Sequence, residues 1–170
     1  PVEGAVARLA RLHPKLIDLS LDRMWRLLAR LDHPERKLPP VIHVAGTNGK
    51  GSTAAMVSSI LQAAGYRVGL YTSPHLVDFR ERIQVNGDMI SEERVAALTD
   101  RVRTAYGAPC EPTFFEFTTA MAFQCFAETG IDIAVIEVGL GGRFDATNVL
   151  SPLAAAITNV ALDHQEYLGE

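Results

Sequence analysis

Between residues 41 and 65 the chain passes from a short apolar stretch, through a glycine-rich turn, into a helical pattern, and few folds accept that order. Val41-Ile42-His43-Val44-Ala45 reads as a buried strand. Gly46-Thr47-Asn48-Gly49-Lys50-Gly51-Ser52-Thr53 follows, and then Met56, Val57, Ile60, Leu61 and Ala64 share one helical face that ends at Gly65. Glycines let a backbone curl so that its N–H groups converge on phosphate oxygens. The helix N-terminus adds partial positive charge and Lys50 a full one. Ser52 or Thr53 can offer a hydroxyl to Mg²⁺ or to a phosphate. The segment Gly46 to Thr53 therefore reads as a phosphate loop; the competing reading is a tight strand-to-helix connection. The usual pattern sets Ser or Thr directly after the lysine, and here Gly51 intervenes.

The remaining pattern extends this unit into an α/β fold. Leu21, Met24, Trp25, Leu28 and Leu31 recur at helical spacing, with Ser20 as N-cap, and Pro34, Pro39 and Pro40 close that region. Tyr66 to Tyr71 reads as a second strand, and Arg82 to Ile90 as a hairpin turning at Asn86-Gly87. Ser91-Glu92-Glu93 caps a helix striped by Val95, Leu98, Val102 and Tyr106. Phe114 to Glu128 is apolar enough to be a buried helix. Ile131 to Val138 is the near-continuous apolar run of a central parallel strand, and Pro152 to Val160 supplies another. Strands alternating with helices predict a mainly parallel sheet covered on both faces, with ligands at the carboxyl ends of its strands.

Bulk properties narrow the function classes. The 170 residues suffice for one domain, and a net charge of −4 offers no basic field for nucleic acid. No apolar run reaches the length of a membrane span, and no signal peptide opens the chain, which reads as soluble and cytoplasmic. Of the two cysteines, Cys110 and Cys125, the latter lies in the apolar helix and reads as a reduced core thiol. The chain opens at Pro1 and stops at Glu170 amid a polar run, and is read as the amino-terminal part of a longer enzyme.

Polar groups collect at the strand ends. Glu137 closes an apolar strand ahead of Gly139-Leu140-Gly141-Gly142, where a buried carboxylate needs a partner: Mg²⁺, or a salt bridge to Lys50 or Arg143. Ser73 closes the second strand and His164 follows the last one, so both arrive at the edge that carries the glycine-rich loop.

Four runs carry a resemblance: Val41 to Thr53, Thr72-Ser73-Pro74-His75-Leu76, EVGLGGRFDATN from Glu137 to Asn148, and Ala161-Leu162-Asp163-His164-Gln165. Together they resemble the bacterial folylpolyglutamate synthase/dihydrofolate synthase family of the Mur ligase superfamily, from about His13 to the end of the chain. The resemblance implies a Mur-type ATP-binding domain and an ATP-dependent amide ligase. A substrate carboxylate would be phosphorylated by ATP to an acyl phosphate, from which L-glutamate displaces phosphate. It implies ATP contacts at Gly46, Thr47, Asn48, Gly49, Lys50, Gly51, Ser52 and Thr53, with magnesium at Ser73, Glu137 and His164. Lys50, Glu137 and His164 would be the catalytic set. Contacts to the pterin of dihydropteroate or a reduced folate would fall on Ile17, Asp18, Leu19, Thr113, Phe114, Phe115, Glu116, Phe144, Asp145 and Ala146. Stacking on an aromatic face and pairing with a carboxylate suit that ring. Core packing competes as the reading of Phe115, and a loop cap as that of Asp145.

The family also has a lysine downstream of the ALDH run, later nucleotide contacts and a carboxyl-terminal domain, none of them within these 170 residues. The full-length protein is expected to be monomeric and the 170 residues alone inactive. Another Mur-superfamily ligase acting on a cell-wall precursor, a P-loop ATPase or small-molecule kinase, and a non-catalytic nucleotide-binding module remain the rivals.

Overall fold

Successive residues of the central strands point to opposite faces of one sheet, and each face carries its own apolar core. A computed structural model describes residues 20–106 and 112–163. Its elements are α1 (Asp22–Arg30), β1 (Val41–Ala45), α2 (Lys50–Ala63), β2 (Val68–Tyr71), β3 (Ile83–Val85), β4 (Asp88–Met89), α3 (Glu92–Ala105), α4 (Phe114–Thr129), β5 (Ile133–Glu137) and β6 (Ala154–Ile157). The strands form one sheet in the order β4-β3-β2-β5-β1-β6. β2, β5, β1 and β6 are parallel, and the β3–β4 hairpin adds an antiparallel edge through Tyr71↔Ile83. β5 lies between β1 and β2, and its side chains enter the cores on both faces, as its apolar run predicts.

On one face Val41, Tyr71, Ala134 and Ile136 pack under α1, α3 and α4, with Met24, Leu28, Leu98, Phe117, Met121 and Phe123 filling the core. On the other, Val44, Val68, Leu70 and Val135 pack under Ala54 of α2. Truncating a fully buried residue such as Phe123 or Ile136 costs about 2–5 kcal/mol. Free Cys125 is buried, as expected. No helix among the described residues is long and apolar enough to cross a membrane.

Two local expectations are corrected. The helix before β1 starts one residue later than its sequence implies: Leu21, not Ser20, is at the N-cap, its side chain packed on the core rather than capping. On α2 the sheet-facing positions are Ala54, Val57, Ser58 and Leu61, spaced i, i+3, i+4, i+7. Met56 and Ile60 fall outside that stripe, at 59% and 68% exposure, and Ala64 is also exposed.

Candidate active site

Because β1, β2, β5 and β6 run parallel, their carboxyl ends share one sheet edge, and the glycine-rich loop leaves from the middle of it. Gly46 turns the chain out of β1 with φ +132°, and a Cβ there would lie 2.0 Å from Thr158 Oγ1. No other residue fits that turn without displacing the segment after β6. That segment straps the loop down. Thr47 N donates to Asn159 O and Asn48 N to Asn159 Oδ1, both at 2.9 Å. Thr158 Oγ1 donates to Asn48 O at 2.7 Å, and Ala161 N to Thr47 Oγ1 at 3.0 Å. The amides of Thr47 and Asn48 are thus committed to protein acceptors, which leaves the first turn of α2 as the loop's source of uncommitted backbone donors. There N–H groups have no intrahelical partner. Gly49 is the left-handed N-cap of that helix and Lys50 its first residue. The Lys50 ammonium folds back to donate to the carbonyls of Gly46 (2.9 Å) and Thr47 (3.1 Å).

Glu137, the last residue of β5, stands opposite. It is 3% exposed, and its Oε2 accepts from the Ser73 amide at 2.9 Å. Its partner is therefore the end of β2, not Lys50 or Arg143. Burial pushes this carboxyl above its ordinary value, against the lowering influence of the Ser73 amide, Lys50 and Arg82. Gly51 lies beside this carboxylate: a Cβ at 51 would stand 3.4 Å from Glu137 Oε2, an ordinary contact distance. The loop residues Thr47 to Ser52 and Ser73, Pro74, Glu81 and Glu137 wall a cavity of about 510 Å³. Ser52 belongs to those walls and Thr53 does not.

Among the described residues no group of three or more His, Cys, Asp or Glu side chains could hold a metal alone. One hard carboxylate oxygen beside a phosphate loop fits Mg²⁺ carried largely by phosphates and water, rather than a protein cage.

A second, mostly apolar cavity of about 400 Å³ adjoins the first, and Ser73 and Pro74 wall both. It gathers Thr113, Phe114, Phe115, Glu116, Phe144, Asp145 and Ala146, together with Arg23 and Arg82. Local folding explains several of these. Thr113 and Glu116 form the capping box of α4, and Glu116 also pairs with Arg23 at 3.2 Å. The Phe115 ring presses on Gly139 and lies 6.1 Å from Tyr71. Phe114 packs edge-on against Phe79 and carries the Arg82 guanidinium 5.1 Å above its ring.

Asp145 is 5% exposed, and its carboxylate accepts four hydrogen bonds from its own loop: from Gly139 N (2.9 Å) and Leu140 N (2.8 Å) on one oxygen, and from Thr147 N (3.0 Å) and the Thr147 hydroxyl on the other. That uses the acceptor capacity of a carboxylate, so of its two readings the loop cap is the one the geometry matches. Since the Thr147 hydroxyl proton goes to Asp145, His43 Nε2 donates to Thr147 Oγ1 at 2.7 Å. Burial raises the Asp145 carboxyl and lowers the His43 imidazole from their ordinary values.

The expected contacts Ile17, Asp18, Leu19 and His164 lie outside the described residues. Missing from the expected set were Thr158 and Asn159, whose only signal is a hydroxyl–amide pair where the chain leaves a strand at the ligand edge, and Arg82.

Residues 44–170 match the family model described as the Mur ligase middle domain. The chain is 51% identical over 159 residues to the dihydrofolate synthase/folylpolyglutamate synthase of Bacillus subtilis (strain 168), an alignment covering 88% of this chain and 36% of that protein. It superposes with TM-score 0.92 and 43% identity on E. coli FolC in complex with DHPP and ADP, covering 100% of this chain and 41% of that one. A bifunctional folylpolyglutamate synthase/dihydrofolate synthase with Mn, AMPPNP and L-glutamate bound gives TM-score 0.87 and 40% identity, covering 100% and 41%. The chain thus spans about two fifths of the length of these relatives.

Proposed function

Because this chain belongs to the Mur ligase middle-domain family, among its dihydrofolate synthase/folylpolyglutamate synthases, we propose that it forms the amino-terminal part of an ATP-dependent amide ligase. The ligase joins L-glutamate to dihydropteroate or a reduced folate. One observation carries the reading: a cavity bounded by a phosphate loop and a buried carboxylate shares its Ser73–Pro74 wall with an apolar cavity lined by aromatic rings. A nucleotide phosphate on one side and a flat heteroaromatic acid on the other would meet at that wall.

In the proposed reaction an oxygen of the acceptor's carboxylate bonds to the γ-phosphorus of ATP and ADP leaves. The glutamate nitrogen then bonds to the acyl carbon, loses a proton, and inorganic phosphate departs. The amides of the first turn of α2 and the Lys50 ammonium hold the triphosphate, and the loop's strapping to Thr158 and Asn159 keeps those donors in place before substrate arrives. Glu137 and Ser73 would hold Mg²⁺, which when bound offsets phosphate charge. Phe115, pinned by Gly139 and Tyr71, offers one ring edge of the acceptor cavity.

The test is product analysis. The full-length protein, given ATP, magnesium, L-glutamate and dihydropteroate, should yield dihydropteroate extended by one glutamyl unit, detected by mass spectrometry. ATP consumption without that product would refute the ligase reading.

A further inference from the structure

Arg82 stands out because, among the described residues, it is a buried cation that forms no ion pair. It closes the 3₁₀ turn Phe79–Arg82, is 6% exposed, and lines the apolar cavity. The turn is firmly held: the Glu81 carboxylate accepts from the amides of Leu76, Val77 and Asp78, and Arg82 O accepts from Thr72 N at 3.1 Å. The guanidinium donates through Nε to a neutral acceptor, His75 Nδ1, at 2.8 Å. Below it lies the face of Phe114, at 5.1 Å. Glu137 is the carboxylate whose field reaches it, yet the two form no ion pair, Glu137 being engaged by the Ser73 amide. A buried cation left without an anionic partner is costly, whereas a guanidinium fork matches a carboxylate in geometry and charge.

We propose that Arg82 is the receptor for the carboxylate of the acceptor substrate, holding the group to be phosphorylated at the Ser73–Pro74 wall between the two cavities. The assignment rests on the ligase reading above and adds to it the residue that selects an acid for the apolar cavity. Position decides which anion is bound: Arg82 lines the aromatic cavity and is absent from the walls of the phosphate-loop cavity, so the acceptor's carboxylate meets it rather than the triphosphate. His75 and Phe114 orient the fork without competing for its charge.

The experiment compares, in the full-length protein, equilibrium binding of dihydropteroate and of its analogue with the carboxylate replaced by hydrogen, for the parent, Arg82→Met and Arg82→Lys. ATP affinity and melting temperature are measured alongside. The parent should prefer the acid by about 10- to 100-fold, the range of a charge-assisted pair. Arg82→Met should bind both compounds alike, near the affinity of the parent for the analogue, with ATP affinity unchanged. Arg82→Lys keeps the charge without the fork and should fall between. A folded Arg82→Met that retains the preference of the parent overturns the assignment, as does a parent that binds acid and analogue equally; both leave the folate reading standing. A parent that binds neither compound overturns the folate reading and this assignment together. Should Arg82→Met fail to fold, a folded Arg82→Lys with the full preference of the parent for the acid counts against the fork, and a reduced preference counts for it.

Discussion

The backbone amide of Ser73 donates to the Glu137 carboxylate at 2.9 Å, tying the carboxyl end of β2 to that of β5 at the wall the two cavities share. This bond holds Glu137 ionisable yet buried, at an energetic cost that a bound cation would relieve. Glu137→Gln keeps the shape and the acceptor and removes the charge. Above its raised pKa the buried carboxylate is ionised and lowers stability; below its ordinary value of 4.5 it is protonated in folded and unfolded chains alike and the penalty vanishes. The metal-free Gln variant should therefore melt higher at neutral pH, by about 2–4 °C for each kcal/mol recovered. The gain should shrink toward zero as pH falls to 4.5. The same variant should lose the additional stabilisation that magnesium gives to the ATP complex. Unchanged melting at pH 7, followed by calorimetry, would count against the penalty.

Lys50→Ala separates stability from turnover. It removes two hydrogen bonds to loop carbonyls, so the melting transition should move by no more than about 1–2 kcal/mol equivalent. ATP turnover by the full-length protein should fall by about 10² or more, the cost of losing a placed charge at a developing anion. A folded variant with near-parental turnover would contradict the phosphate-loop assignment.

Asp145→Ala tests the cap. Four donors lose their acceptor at once, two of them the amides of Gly139 and Leu140, which belong to walls of the apolar cavity. The expected loss is about 2–4 kcal/mol of stability, read by urea unfolding, with weaker dihydropteroate use as a consequence of loop disorder. Asp145→Asn, which keeps the acceptor oxygen on one side only, should fall between. Full stability with selective loss of dihydropteroate binding would return Asp145 to the role of a direct ligand.

How far these features are legible beforehand depends on whether local chemistry or tertiary context decides them. The run Ile131 to Val138 has no polar face to turn to solvent, so a central strand is its natural place, and β5 takes it. The strand, loop and helix around Lys50 follow from glycine placement and periodicity. Met56 and Ile60 mislead because α2 carries apolar residues around more than one stripe, and only the sheet decides which stripe is covered. Asp145 reads equally well as ligand or cap until the amides of Gly139 and Leu140 are seen converging on it. Arg82 follows Arg80 and Glu81 and looks like part of a solvated run. Its burial comes from the turn held by Glu81 and from Phe114, some thirty residues away. Such groupings are properties of packing, and no spacing rule announces them.

In the proposed reaction, ATP on the phosphate loop meets the carboxylate of an acceptor across the Ser73–Pro74 wall. The most direct measurement follows oxygen rather than rate. Dihydropteroate labelled with oxygen-18 in its carboxylate is turned over by the full-length protein with ATP, magnesium and L-glutamate, and the released phosphate is analysed by mass spectrometry. Attack of that carboxylate on the γ-phosphorus predicts one labelled oxygen in each phosphate released with product. Product formed with unlabelled phosphate would contradict the account.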